Sequence, residues 1–335
     1  MGSTWVVIVN YRTADLVIDC LRSLAAQLSD CNERYIRVVV VDNNSDDGSV
    51  VRLDATIERE GWSSWACVMP LEKNGGFAVG NNAGIRKALA SANPADYLML
   101  LNPDTVAHPR AIKALVDFMD AHPKAGIAGS QLEGADGKVD SSAHTFPTPL
   151  SELEGAARLG MLSRLLHRYV VTPPPQALAH QCDWVSGASM IVRRQVIENI
   201  GLMDESYFLY FEEVDFCRRA HQAGWQCWHV PASRVLHLEG ASTGIRAVAK
   251  RRAGYWYDSR RRFFTKHYGI SGLLMADVFW TAGRFSYLLR KVLHLGANNR
   301  QDGGPRWFMF DLLWGDLRAF LSGRLWRIQH TRQQS

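Results

Sequence analysis

The chain has 335 residues, 47% of them apolar and 21% charged, which excludes a disordered or low-complexity protein and gives length for one large core plus an appendage. Its net charge of +5 hides an asymmetry: residues 246–335 hold 17 Lys/Arg against 5 Asp/Glu, so the first 245 carry −7. An acidic body with a basic tail implies two jobs.

The six cysteines (Cys20, Cys31, Cys67, Cys182, Cys217 and Cys227) are scattered, with no Cys-x-x-Cys pair and no His/Cys spacing of a zinc site. They read as buried thiols of a reducing compartment. The N-terminus lacks a basic segment followed by an apolar core, so no signal peptide is expected and a cytoplasmic location is.

Trp5 to Val9 is an apolar run ending at Asn10-Tyr11, a first buried strand. Thr13 is placed to cap a helix with Leu16, Cys20 and Leu24 on one face. Arg37 to Val41 reads as a second strand, ending in Asp42-Asn-Asn-Ser-Asp-Asp-Gly48, and Trp65 to Leu71 as a third. A Gly-rich segment, Asn74 to Gly84, flows into a helix through Leu89. Tyr97 to Leu101 is unbroken apolar sequence, the length of a strand buried on both faces, and stops abruptly at Asn102-Pro103-Asp104. Pro109 is placed at a first helical position, ahead of Ile112, Leu115, Val116 and Met119. Strands alternating with helices predict an α/β fold with a Rossmann-like, mostly parallel sheet flanked by helices.

Residues 133–182 read as an insertion or lid, with a hairpin-like turn near Gly134 to Gly137 and a Leu-rich helical stretch from Leu153 to Leu166. Order returns at Val185 to Val192, then a short helix over Gln195–Ile200, the acidic-aromatic segment Asp204 to Arg219, and a strand around Gln226–Val230 leading to His237.

Four features can carry chemistry. Asp42 and Asp104 end parallel strands, where open α/β sheets place ligands; Asn102 and Asp104, two apart, point the same way in extended chain. Such carboxylates can accept from a nucleobase or ribose or ligate a hard divalent ion; solvated turn residues are the plain alternative. The Gly-rich segment lacks both P-loop and dinucleotide spacing, so it is either a backbone close to an anionic ligand or an ordinary tight turn. Glu212-Glu213-Val214-Asp215 puts three carboxylates in four residues, suited to raising one pKa or simply to capping a helix N-terminus. His237 is a metal ligand or an ordinary core histidine.

Their joint order is more specific. Asn10-Tyr11, Val-Asp-Asn-Asn-Ser-x-Asp-Gly-Ser (41–49), Asn-Gly-Gly-Phe-Ala-x-Gly-Asn-Asn (74–82), Leu-Leu-Asn-Pro-Asp (100–104), Val-Ser-Gly-Ala (185–188), the 204–219 segment and His237 together resemble glycosyltransferase family 2 of the GT-A fold. The Asn-Pro-Asp and Gly-Phe-Ala segments look most like bacterial rhamnosyltransferases of cell-surface polysaccharide assembly. The resemblance covers roughly residues 4–245 and implies a nucleotide-sugar-binding and catalytic domain there. It implies Val9, Asn10, Tyr11 and Asp42 around the base and ribose, and Asn74, Gly75 and Phe77 along the nucleotide sugar. The family's Asp-x-Asp falls on Asn102-Pro103-Asp104, leaving Asp104 as the metal carboxylate with His237 as second ligand and Mg²⁺ or Mn²⁺ as cofactor. The base position falls on Glu213, a Glu where the family has Asp, with Glu212 and Asp215 as alternatives. Asp204, Gly187 and Glu212 face the acceptor. The implied reaction is an inverting transfer, L-rhamnose from dTDP-rhamnose or another sugar from a UDP- or GDP-donor, to a glycan or polyprenyl-diphosphate-linked acceptor.

The tail, 246–335, alternates basic clusters (Lys250-Arg251-Arg252 and Arg260-Arg261-Arg262) with Tyr255-Trp256-Tyr257 and Phe263-Phe264. Leu273 to Leu289 and Trp307 to Trp326 are apolar-rich but interrupted by charge, so spanning helices are not expected. Such helices lie in a membrane interface, here the inner membrane's cytoplasmic face, or pack on the body or on a second subunit as a homo-oligomer. No motif supports nucleic-acid binding. A nucleotidyltransferase would need a Gly-rich basic signature after the first strand, which Asn10-Tyr11-Arg12-Thr13 does not supply; a non-catalytic glycan-binding descendant is the other alternative.

Overall fold

The computed structural model describes residues 3–28, 36–238, 251–294 and 307–331. Cys31, Lys250 and the expected domain junction at 245/246 lie outside the described residues. The chain divides into two compact units, one of Met1–His144, Pro174–Phe208 and Glu212–Arg246, the other of Thr145–Pro173, Leu209–Phe211 and Ala247–Ser335.

The first unit is a mixed sheet flanked by helices. Strands β1 (Thr4–Asn10), β2 (Ile36–Asp42), β3 (Ala66–Pro70) and β4 (Tyr97–Leu101) run parallel in the order β3-β2-β1-β4. Every residue of β4 is buried, as its unbroken apolar run requires. Helices α1 (Ala14–Ala25), α2 (Ser49–Arg59) and α3 (Gly76–Leu89) supply the crossovers, each with an apolar face on the sheet. Strand order reverses about β1, with β2 and β3 on one side and β4 on the other, which opens a crevice at the carboxyl ends. Register aligns those ends: Asn10 pairs with Asp42, Asp42 with Pro70, and Ile8 with Leu101.

Beyond β4 come β5 (Thr105–Ala107), α4 (Ala111–Ala121), β6 (Ala125–Glu133), β7 (Val139–Asp140) and β8 (Ala143–His144). The Gly134 to Gly137 turn joins β6 to antiparallel β7, as its composition predicts. Two expectations about helix starts need correction. Pro109 does not open α4: Arg110, at φ 65°, stands between it and Ala111. Thr13 occupies the N-cap of α1, but its hydroxyl bonds the Asn10 side chain instead of the helix backbone.

Helices α5 (Pro149–Ala157) and α6 (Gly160–Leu165) belong to the second unit. The single helix expected over Leu153 to Leu166 is two, broken where Arg158 turns left-handed at φ 48°. In the first unit β9 (His180–Cys182), β10 (Trp184–Val185) and β11 (Ser189–Arg193) lead to α7 (Arg194–Ile200), α8 (Glu212–Gln222) and β12 (Gln226–His237). Strand β11 inserts antiparallel between β4 and β6, and β12 runs parallel to β6 and antiparallel to β5.

The second unit is helical: α9 (Gly254–Val292, kinked at Gly269), α10 (Phe308–Leu321) and α11 (Arg324–Thr331), with α5 packed on α9. The approach is close, since a Cβ at Gly283 would meet the Leu153 carbonyl oxygen at 2.7 Å. The sequence reading of Arg260-Arg261-Arg262 as a lipid-facing cluster needs correction for two of the three. Arg260 and Arg261 are buried, Arg260 against Asp277 (2.9 Å), Glu152 (3.2 Å) and Asp316 (3.5 Å), Arg261 against Asp316 and Asp258 (both 2.5 Å). Carboxylates far along the chain draw them inward, because a buried charge is tolerated only when paired. Among the described residues no helix is long and apolar enough to cross a membrane.

Candidate active site

The strand ends build the first wall of the crevice. Asn10 Nδ2 donates to Asp42 Oδ1 at 2.6 Å, while Ser45 donates its Oγ–H to the same oxygen (2.6 Å) and its backbone N–H to Asp42 Oδ2 (3.0 Å). Asn10 and Asp42 are buried, whereas Tyr11 is 40% exposed with the Arg12 guanidinium over its ring. Asp42 therefore fixes the shape of this wall, and Tyr11 offers it a ring. Val9 lies beneath, against Gly80 of α3, where a Cβ would come within 2.7 Å of the valine.

The Gly-rich segment is fastened to this wall by Asn43, a residue the sequence reading quoted but gave no role. Its Nδ2 donates to the Gly76 carbonyl (2.9 Å) and its Oδ1 accepts from Gly75 N–H (3.3 Å). Asn74 Oδ1 accepts from Gly76 N–H at 3.0 Å. Gly76 itself sits at φ 86°, with its Cα facing the Phe208 carbonyl, and Phe77 N–H donates to that same carbonyl at 2.9 Å. Gly76→Ala combines left-handed strain with a backbone collision, so a loss of about 2–4 kcal/mol is expected. Chemical unfolding checks it, and an unchanged midpoint would refute the packing argument.

The second wall is made by the Asn-Pro-Asp turn. Asn102 N–H donates to the Ala188 carbonyl (3.0 Å) and Thr105 Oγ–H to the Asn102 carbonyl (2.7 Å). Pairing of β5 with β12 puts His237 opposite Thr105, and the Leu238 N–H donates to the Asp104 carbonyl at 2.9 Å. His237 Nε2 thus lies 3.4 Å from Asp104 Oδ1 and 3.4 Å from Asn102 Nδ2. Among the described residues no third His, Cys, Asp or Glu completes a metal cluster. One carboxylate and one imidazole nevertheless suit a divalent ion that draws its other ligands from a diphosphate.

The third wall is the start of α8. Glu212 is buried, and Glu212 Oε2 and Glu213 Oε2 are both shielded with no hydrogen-bond partner among the described residues. Burial raises the Glu213 carboxyl to about 6. Burial, then the neighbouring Glu213 charge, raises Glu212 well above the ordinary range. The pair holds a proton that isolated carboxyls would have lost. Two residues of positive φ, Tyr210 (70°) and Phe211 (67°), precede it, a strained approach of the kind found at working sites.

Gly187 brings the walls together. A Cβ there would lie 3.4 Å from Phe77 Cε1 and 3.7 Å from Glu213 Cβ, and its neighbour Ala188 holds Asn102. Phe77, Gly187, Glu213 and the Asn102–Asp104–His237 group are thus contiguous. Asp215 does not join them as a free base: it is fully buried, and Arg219 Nε donates to it at 2.9 Å. A carboxylate held by a guanidinium is a poor proton acceptor. Asp204 shapes the turn before α8, accepting from Ser206 N–H at 3.1 Å. That turn is pinned to α3 by Asn82, which bonds Met203 and Glu205.

Residues 5–200 match the model of the glycosyl transferase family 2. The chain is 30% identical over 295 residues to the N-acetylglucosaminyl-diphospho-decaprenol L-rhamnosyltransferase of Mycobacterium tuberculosis, covering 84% of this chain and 90% of that one. It is 26% identical over 168 residues to rhamnosyltransferase WbbL of Escherichia coli, covering 48% and 60%. Among solved structures, the mannosyltransferase PcManGT from Pyrobaculum calidifontis, in complex with GDP-Man and Mn²⁺, superposes with a TM-score of 0.56 at 14% identity, over 97% of this chain and 88% of that one. The fold is accordingly the GT-A type. The family match spans more than half of the chain, and the chain belongs to glycosyl transferase family 2 and is a glycosyltransferase.

Proposed function

We propose that this enzyme is an inverting, divalent-metal-dependent rhamnosyltransferase that moves L-rhamnose from dTDP-rhamnose to a hydroxyl of a polyprenyl-diphosphate-linked glycan in surface-polysaccharide synthesis. The observation that carries the chemistry is the shielded Glu212–Glu213 pair beside Gly187 and Phe77. The rhamnose and the lipid-linked acceptor are supported by the relatives' names.

Val9, Asn10, Tyr11 and Asp42 hold the base and ribose; Asn74, Gly75 and Phe77 run along the sugar. Asp104 and His237, with Asn102 beside them, hold Mg²⁺ or Mn²⁺. When bound, such an ion neutralises charge on the diphosphate leaving group. Glu213 takes the proton of the acceptor hydroxyl as that oxygen attacks the anomeric carbon from the face opposite the diphosphate. One C–O bond forms, the bond to the diphosphate oxygen breaks, and the anomeric configuration inverts. Glu212, whose carboxyl burial and the neighbouring Glu213 charge push well up, offers a hydrogen bond to the acceptor sugar, with Gly187 and Asp204 bounding its site. Residues 1–245 form the catalytic domain, and 246–335 attach it peripherally to the cytoplasmic face of the inner membrane or to a second copy.

Calorimetry with dTDP-, UDP- and GDP-sugars, each with and without EDTA, tests this. Binding of dTDP-rhamnose is expected to require the metal and to weaken by about tenfold or more in Asp104→Ala. Preference for another nucleotide would discard the sugar assignment, and binding unaffected by EDTA would discard the metal role.

A further inference from the structure

The helical unit contains a cavity of ≈ 730 Å³ that the transfer chemistry does not use. Five arginines line it (Arg251, Arg252, Arg261, Arg318 and Arg324) against two carboxylates, Asp258 and Asp311. The lining thus carries a surplus of three positive charges.

The arginines divide into two sets. Arg251 grips Asp311 with two hydrogen bonds (2.8 and 2.5 Å), and Arg261 is held by Asp258 and Asp316. These are walls. Arg252, Arg318 and Arg324 have no carboxylate partner among the described residues and are exposed. Two of them are oriented by rings instead: Arg252 lies 4.3 Å from the Trp256 ring centroid and 5.7 Å from that of Phe308, and Arg318 lies 4.9 Å from that of Trp314. A ring contact restrains a guanidinium without using its N–H donors, which recognise phosphoryl oxygens in pairs. A concave site of this size suits a compact polyanion, and several guanidiniums suit two phosphoryl groups.

The surroundings state what the anion is attached to. Trp314 stacks on Phe310, which meets Trp307, so the ring under Arg318 continues into an apolar rim in which Phe310 is 53% and Trp307 68% exposed. A free inorganic ion has no use for such a rim. An amphiphile with a charged head and an isoprenoid or acyl chain does.

We infer that the arginine-lined cavity of the helical unit binds the diphosphate head of a prenyl diphosphate lipid, its chain lying along the Trp307–Phe310–Trp314 rim. The choice of lipid rests on the lipid-linked acceptor proposed above; the anion site rests on the cavity, its uncompensated arginines and its rim.

The test measures binding of farnesyl diphosphate and of inorganic diphosphate to the full chain in EDTA, so that the metal-dependent donor site stays silent. Vesicles of phosphatidylcholine with phosphatidylglycerol form a third arm. The triple variant Arg252→Gln, Arg318→Gln, Arg324→Gln changes only exposed side chains; Arg59→Gln, Arg164→Gln, Arg168→Gln removes the same charge elsewhere. Farnesyl diphosphate is expected to bind more tightly than inorganic diphosphate, and both to weaken about tenfold or more in the first variant and not in the second. Equal losses in both variants would overturn the site, as would a loss confined to the phosphatidylglycerol vesicles. Diphosphate binding with no advantage for the farnesyl chain would overturn the lipid assignment. Donor binding by the same variants reports separately on the transferase reading.

Discussion

Glu213→Gln is expected to lower kcat by about 10²–10⁴ while leaving donor affinity near the wild-type value, because it removes only a proton acceptor. The same substitution is expected to stabilise the protein. The Glu213 carboxyl is raised by burial from 4.5 to about 6, so the folded state prefers the protonated form. As pH rises from the unfolded value through 6, the folded state must ionise a shielded group and loses stability; below the unfolded value that penalty is absent. A shift of this size corresponds to about 2 kcal/mol at neutral pH. Glutamine is close in shape and cannot ionise, so the variant's thermal midpoint should exceed the wild type's at pH 7.5 and match it near pH 4.5. Wild-type kcat should fall on the acid side of about 6, where the base is protonated. An unchanged kcat would move the base elsewhere, with Glu212 the next candidate, and no gain in stability would refute the penalty of ionising Glu213.

The parts of the site that follow from local pattern were legible in the sequence. Tyr97 to Leu101 could be read as a doubly buried strand because five apolar residues in a row leave little else, and its end put Asn102 and Asp104 in the crevice. Arg219, four residues after Asp215, is a local sign that Asp215 is ion-paired. Other features had no local sign. His237 meets Asp104 and Asn102 only through the antiparallel pairing of β5 with β12, 135 residues after Asn102. Asn43 bridges to the Gly-rich segment 33 residues on. The break falls on Arg158 itself and not on Gly155 or Gly160, so periodicity runs straight through it. Charge counting also misplaced Arg260 and Arg261, because a tally of basic residues does not contain Glu152, which lies 108 residues before Arg260.

That misreading identifies the residue whose loss should damage the fold most. Arg260→Ala is expected to cost about 3–5 kcal/mol, since removing one member of a buried charge network leaves the others uncompensated. Arg260 is 1% exposed, lies over the Phe264 ring at 4.9 Å and ties α5, both halves of α9 and α10 through Glu152, Asp277 and Asp316. The cost should depend on pH in a definite direction. Burial already outweighs the Arg260 charge and raises Asp277 to about 7. A carboxyl whose folded value is raised burdens the fold increasingly as pH climbs from its unfolded value to its folded value, and by a constant amount beyond. Without the guanidinium Asp277 is driven higher still, so the variant's deficit should grow between pH 6 and pH 8. Urea unfolding at the two pH values, followed by tryptophan fluorescence, reads this directly. Arg260→Ala/Asp277→Ala should lose less than the sum of the two single variants, because the second change removes a charge the first left stranded. Strict additivity, or a deficit below about 1 kcal/mol, would mean that packing of α9 on α5, not the charge network, holds the helical unit together.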